Sequence, residues 1–245
     1  IASSIMSKKI ASGSKKLVLD IKVGEGALIK NISDARKLAN LMIKIGKENS
    51  MQVVCLLTNM DIPLGNNIGN SLEVLEAINT LYYFPDTNLT RLCSELATQM
   101  VSLALDIDYD EAKKRVDETL RSKKAYNKLL AFVNDRNGDI TKLPKSKYFY
   151  QIKSDKEGYL SELSSLELAK LSMHLGAGRK TKEDSTIDYS AGIIINKNLN
   201  DKVKIGDVII TLYTNGEIPQ IDKNILFKIA ENPNKAYDLI YEIIK

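Results

Sequence analysis

The sequence predicts an α/β fold followed by a separate α+β lobe, and three observations carry that reading. A β-rich run, Leu17 to Val23, and a near-continuous apolar run, Met51 to Leu57, flank a segment in which Ala35, Leu38, Ala39, Met42 and Ile45 recur at helical spacing. Strand, helix and strand at this spacing argue for a parallel pair with a right-handed crossover, since parallel strands need a long connection to return over the sheet. From Lys147 the texture changes to short β-like runs, at Tyr148 to Ile152, Ile187 to Ile195 and Val208 to Tyr213. Between the two regimes, the stretch from about Gly138 to Lys147, with Asn137-Gly138 at its start and Pro144 within it, is the best linker in the chain.

The elements follow in order. Ile5, Met6 and Ile10 with polar residues between them suit a short helix from about Ser3 to Ser12, closed by Gly13, with Ser4 and Lys8 on its polar face. Gly24-Glu25-Gly26 ends the first strand. The loop from Thr58 to Gly69 is long for a βα connection, and long loops at strand C-termini are where open α/β sheets hold ligands. Asn70-Ser71-Leu72-Glu73 reads as a helix start with a reciprocal cap, leading into Val74, Leu75, Ala77, Ile78 and Leu81. Two further helices are expected at about Leu89 to Leu105 and Asp110 to Val133. In the lobe a helix is expected from Ser165 to Leu175, and two short helices from about Lys223 onward.

Composition narrows the function classes. With 245 residues, 44% hydrophobic and 27% charged, the chain has the make-up of a globular protein of one large or two smaller domains. The net charge is only +4, and 35 basic residues are dispersed among 31 acidic ones, which disfavours a polynucleotide partner. No apolar stretch approaches the roughly 20 residues that span a bilayer, and the first residues lack a signal-peptide core, so a cytoplasmic protein without a membrane partner is expected. Cys55 and Cys93 are expected to be two buried thiols. Ile1 precedes an amphipathic segment that is already under way, which reads as a chain with something upstream of it.

Three blocks carry a family resemblance. IASSIMSKKIASGSKKLVLDIKVGEGALIKN is similar to a segment of the thymidine and pyrimidine-nucleoside phosphorylases, where a Ser-Ile-x-x-Lys-Lys helix precedes a strand of the form Val/Leu-x-Asp-x-Lys-x-Gly-x-Gly-Ala. PLGNNIGNSLEVLEAI resembles the family's Pro-Leu-Gly-x-x-Ile-Gly-Asn-x-Leu-Glu-Val-x-Glu block, and LGAGRKTKEDSTIDYSAGI its C-terminal signature. The resemblance implies residues 1–13 as the last helix, a remnant, of an all-α domain. Residues 14–146 would be part of a central α/β domain with a mostly parallel sheet, and 147–245 the C-terminal α+β domain. It implies a homodimer that uses inorganic phosphate to split uridine, thymidine or deoxyuridine into free base and (deoxy)ribose 1-phosphate, with broad pyrimidine use. The family's Lys-His-Ser-x-Gly-Gly-x-Gly-Asp phosphate loop, its Ser-Gly-Arg-Gly stretch and its base-contacting arginine would fall before Ile1. No catalytic residue is therefore expected in this chain, and the isolated chain is expected to be inactive.

Ser4 and Lys8 lie four residues apart, so on a helix they emerge on one face, one turn from each other. Spacing alone also fits a plain solvated face, because exposed Ser and Lys are common. The resemblance makes them the residues that bind the pyrimidine base. Glu73 and Glu76, three apart, point the same way from one helix face instead of flanking a scissile bond, which disfavours a paired acid and base. The resemblance instead gives a K⁺ site built from Leu64 and Asn67 main-chain carbonyls and Glu76, oxygen donors that suit a hard cation, with Asn67 standing where the family commonly has Ala. Gly24-Glu25-Gly26 and Gly176-Ala177-Gly178-Arg179 read as tight turns and His174 as structural. Other readings are a related phosphorylase or phosphoribosyltransferase acting on AMP or anthranilate, a non-catalytic fragment, and a biotinyl or lipoyl carrier. The last is disfavoured because Lys202 and Lys204 lack the setting of a modifiable lysine.

Overall fold

The computed structural model describes residues 1–179, 181, 183 and 186–245. The chain forms two compact units, each discontinuous in sequence: residues 1–61, 85–124 and 237–245 make one, and 62–84 with 125–236 the other.

The first unit opens with α1 (Ala2–Ala11), β1 (Lys16–Val23), α2 (Ile32–Glu48) and β2 (Gln52–Asn59). The expected parallel pair is present, in register from Lys16 opposite Gln52 to Val23 opposite Asn59. Its odd-numbered side chains, including Ile21, Val23, Val53, Cys55 and Leu57, pack with Ala35, Ala39, Met42 and Ile43 of α2 and with Ala2 and Met6 of α1. Small residues at 35 and 39 let the helix approach the sheet closely, and burying Met6 completely is worth about 1.5–3 kcal/mol. Asn31, Thr87 and Asp108 cap α2, α4 (Asn88–Leu105) and α5 (Tyr109–Arg121) by accepting from the N–H three residues on.

A third strand, β10 (Ile240–Ile244), lies antiparallel on the other edge of β2. The sheet of this unit therefore carries one parallel and one antiparallel pairing. The sequence reading placed a short helix near the C-terminal end, and the structure corrects it. Ile240, Tyr241, Ile243 and Ile244 are β-branched or aromatic, and β2 offers their backbone groups a ladder that no helix of this length could match.

The second unit contains β3 (Asn67–Ile68), α3 (Asn70–Tyr83), α6 (Lys124–Asn134), β4 (Tyr148–Lys153), β5 (Gly158–Leu163), α7 (Ser165–Ser172), β6 (Gly192–Ile195), β7 (Lys202–Val203), β8 (Val208–Thr214), α8 (Lys223–Leu226) and β9 (Phe227–Ala230). They form two antiparallel sheets, ordered β3-β6-β8-β4 and β7-β5-β9, around a core that includes Leu160, Leu168, Ile193, Ile210 and Leu212.

Other expectations need correction. The single helix expected from Asp110 to Val133 is two, broken where Lys123 takes a left-handed conformation with φ 60°. The Ile187 run forms a strand only from Gly192, because the preceding residues are held by side-chain hydrogen bonds. The helix from Ser165 changes after Ser172 into one wide turn, Met173–Ala177, with Gly176 at φ 116°. Strands β5 and β9 were not foreseen. Cys55 is fully buried as expected, but Cys93 is exposed on α4.

Candidate nucleoside and cation sites

The placement of Ser4 and Lys8 follows from how α1 is seated. Ala2 and Met6, one turn apart, point into the core, so Ser4 and Lys8, half a turn further round, project from the opposite side and are exposed. The helix ends in a paired C-cap: Gly13 N donates to Ile10 O at 2.9 Å and Ser14 N to Lys9 O at 3.2 Å. Gly13, at φ 73°, provides the left-handed residue this cap requires. Lys8 lies in the last turn, where the helix dipole favours a cation, and forms no ion pair among the described residues.

Beyond β1 the chain turns at Gly24, where φ is 135° and an added Cβ would strike Asp61. Asp61 Oδ1 accepts from Glu25 N at 2.8 Å, and Met60 N donates to Val23 O at 2.8 Å, so the ends of both parallel strands are clasped together. Burial, then the negative charge of Asp61 and Asp238, raises the Tyr241 phenol above its ordinary value. On the α4 side of the sheet, Asp20 accepts from Thr58 Oγ1 and pairs with Lys22 at 2.7 Å. Asp61 and Asp20 do not stand out in the sequence: each lies beside a motif that does, but only the fold shows what they hold.

The second unit brings Leu64, Asn67 and Glu76 into one neighbourhood. Glu76, on α3, accepts from Asn66 N at 2.7 Å through Oε1 and from Asn67 N at 3.1 Å through Oε2. Glu73 accepts from Gly69 N at 3.0 Å, which is half of the expected reciprocal cap. The other half is absent, because the N-cap is Gly69, which has no side chain to accept from the helix, and Asn70 turns its amide to Ala177 O instead. Asn67 Nδ2 donates to Leu72 O at 2.8 Å, so the larger side chain at this position is absorbed by α3. Each Glu76 oxygen takes one N–H and keeps a free lone pair. A carboxylate oxygen is the donor type a hard monovalent cation takes, although here its first partners are N–H groups. Among the described residues no group of three His, Cys, Asp or Glu side chains gathers to hold a metal ion, so a cation must draw on backbone carbonyls.

The C-terminal signature is tied to the same helix start. Asn70 Nδ2 donates to Ala177 O at 3.0 Å, and Asp188 accepts from Ser190 N at 2.9 Å, Ser190 Oγ at 2.6 Å and Asn215 Nδ2 at 2.9 Å. Burial works to raise Asp188, but these hydrogen bonds prevail and hold its carboxyl below the usual range. Lys180, Lys182, Asp184 and Ser185 of that signature lie outside the described residues. His174 is exposed, with Nδ1 2.8 Å from Lys170 O, a local helix contact in keeping with a structural role.

A groove of about 510 Å³ in the first unit is lined by Glu95, Gln99, Tyr109 and β10. Three of its polar groups satisfy one another: Tyr109 Oη donates to Glu95 Oε2 at 2.6 Å and Gln99 Nε2 to Glu95 Oε1 at 2.8 Å.

Comparison with known proteins decides the family. The chain is 43% identical over 243 residues to the thymidine phosphorylase of Metamycoplasma hominis, covering 96% of this chain and 89% of that protein. The chain belongs to the thymidine and pyrimidine-nucleoside phosphorylase family. A model of the pyrimidine nucleoside phosphorylase C-terminal domain matches residues 159–229. The pyrimidine-nucleoside phosphorylase of Staphylococcus epidermidis is 41% identical over 256 residues, all of this chain and 58% of that protein. That of Staphylococcus aureus is 42% identical over 222 residues, 88% of this chain and 51% of that protein. The chain thus spans little more than half the length of these staphylococcal members of the family. Membership sets aside the carrier reading and the relatives acting on AMP or anthranilate. No helix of the described residues is long and apolar enough to cross a membrane.

Proposed function

We propose that this protein acts in the phosphorolysis of pyrimidine nucleosides, uridine, thymidine and deoxyuridine, to free base and (deoxy)ribose 1-phosphate. The observation that carries the reading is the exposed Ser4 and Lys8 pair, one turn apart on the face of α1 turned away from its core. Phosphate attacks the anomeric carbon as the bond to the base nitrogen breaks, and the electron pair leaves with the pyrimidine. Negative charge grows on the ring carbonyl during that step, so an ammonium beside it stabilises the transition state more than the bound substrate. Lys8 would supply that charge and Ser4 a hydrogen bond that orients the ring edge.

The same proposal includes K⁺ held by Leu64 and Asn67 carbonyls with Glu76, a homodimer, cytoplasmic residence and domain limits at residues 13 and 146. K⁺ would supply fixed positive charge that orders the loop before α3. The direct test is phosphate-dependent release of uracil from uridine and thymine from thymidine by the protein purified from its own cells. Release is expected, with kcat/KM lowered about 100-fold or more in Lys8→Met while the unfolding midpoint stays put. A full-length, folded sample that releases neither base would sink the reading. For the cation, a higher Tm in K⁺ than in Na⁺ is expected in the reconstituted full-length enzyme, the isolated 245 residues holding K⁺ poorly, and the difference should vanish in Glu76→Gln.

A further inference from the structure

Strand β4, Tyr148–Lys153, forms one edge of the four-stranded sheet and, among the described residues, pairs only with β8. The ladder shows which of its backbone groups remain open. Ser154 N donates to Asp207 O at 2.9 Å and Gly206 N to Ser154 O at 2.8 Å, so even-numbered residues face β8 and odd-numbered ones face away. The other side of β8 agrees, because Asn196 N donates to Ile209 O at 2.8 Å, which sets Thr211 and Tyr213 toward β6 and leaves Leu212 and Thr214 for Tyr150 and Tyr148. The N–H and C=O of Phe149 and Gln151 are therefore directed outward from the sheet.

The side chains along this edge are not those of a blunted strand alone. Tyr148, Phe149 and Tyr150 are 61%, 64% and 51% exposed. Phe149, Gln151 and Lys153 share one face by alternation, and Phe149 rests on Tyr213 with ring centroids 6.4 Å apart, while Lys147 lies at the bend just before the strand, its N–H donating to Asn215 Oδ1 at 2.8 Å. Lys147 and Lys153 are exposed and form no ion pair among the described residues. The edge thus has an exposed lysine at each end of the strand, with an aromatic surface between them.

We infer that the open edge of β4 receives an extended acidic peptide segment of a partner protein, which adds as a strand and sets carboxylates against Lys147 and Lys153 and an apolar side chain over Phe149. Charge selects this occupant. A second copy paired antiparallel about Tyr150 would put Lys147 opposite Lys153 at both ends, a like-charge arrangement that destabilises a ladder. A nucleic acid would meet the lysines but leave the outward N–H and C=O groups of Phe149 and Gln151 without partners, whereas strand addition satisfies both.

The test uses the whole 245-residue protein and the capped peptide Glu-Thr-Thr-Thr-Val-Thr-Glu, with a control in which both Glu are Lys. With the acidic peptide at saturation, amide exchange at Phe149 and Gln151 should slow about tenfold or more. Affinity should fall as NaCl rises from about 50 to about 300 mM, and the lysine control should not bind. Gln151→Pro removes one outward N–H and leaves the β4–β8 ladder whole, so it should abolish binding without moving the urea midpoint. Lys147→Glu combined with Lys153→Glu should exchange the preference to the lysine peptide, a readout independent of any strain from proline. Unchanged exchange with peptide, equal binding of both peptides, or binding that survives Gln151→Pro would each overturn the inference. So would edge protection that rises with protein concentration alone, or an oligonucleotide that displaces the peptide while the Phe149 and Gln151 amides stay unprotected.

Discussion

Glu76 illustrates how one side chain can hold a loop. Its two oxygens receive Asn66 N and Asn67 N in a part-buried turn, so Glu76→Ala leaves two donors unpaired and should cost about 1–3 kcal/mol in urea unfolding. Amide exchange across residues 62–69 should quicken in the same variant, while Glu76→Gln, which keeps one acceptor, should fall between. Tyr109 supplies a pH signature. Its hydroxyl donates to Glu95, and that bond, followed by burial and the Glu95 charge, pushes its pKa up to about 12. The folded value lies above the ordinary one near 10, so the contribution to stability is complete below about pH 10 and is lost as pH rises toward about 12. Urea midpoints at about pH 9 and about pH 11 should differ, and by less in Tyr109→Phe. At this scale the sequence was a good guide to Ser4 and Lys8, whose exposure on one helix face follows from period and from the apolar Ala2 and Met6. It was a poor guide to what Glu76 and Asp61 hold, since backbone donors in need of a partner leave no trace in spacing.

Among the elements, the break between α5 and α6 is the least visible in the sequence. Apolar spacing runs on from Tyr109 to Val133, yet Lys123 turns left-handed and divides the helix. A non-glycine residue in that conformation costs about 1 kcal/mol, so Lys123→Gly should be neutral or stabilising by up to about that amount, whereas Lys123→Val should destabilise. A melt of the two variants beside the parent checks the order. Strands β1 and β2 and helix α2 were legible because each has one dominant period and a boundary residue, Gly24 or Asn31. Strand β10 was not, since five residues of mixed pattern become a strand only when an edge such as that of β2 is present to pair with.

The two compact units each own a core, one around Met42, Cys55 and Leu57 and the other around Leu160, Ile193 and Leu212. Amides of β2 and those of β8 should therefore exchange as two cooperative groups with different slopes against denaturant. A single common isotherm for both would show that the division has no energetic meaning. The class of fold was legible because strand and helix periods alternate before residue 60 and shorten after Lys147. The interleaving of the units was not, because it depends on which distant segments meet. Strand β10 shows what such interleaving means for a chain emerging from the ribosome. Residues 60–239 separate β2 from its antiparallel neighbour, 180 positions in all, which at about 5–20 residues per second keep one side of β2 waiting for about 9–36 s. For that interval the Val53 to Leu57 segment has an unfilled flank, and its protection in the nascent chain must come from a chaperone or from speed of synthesis.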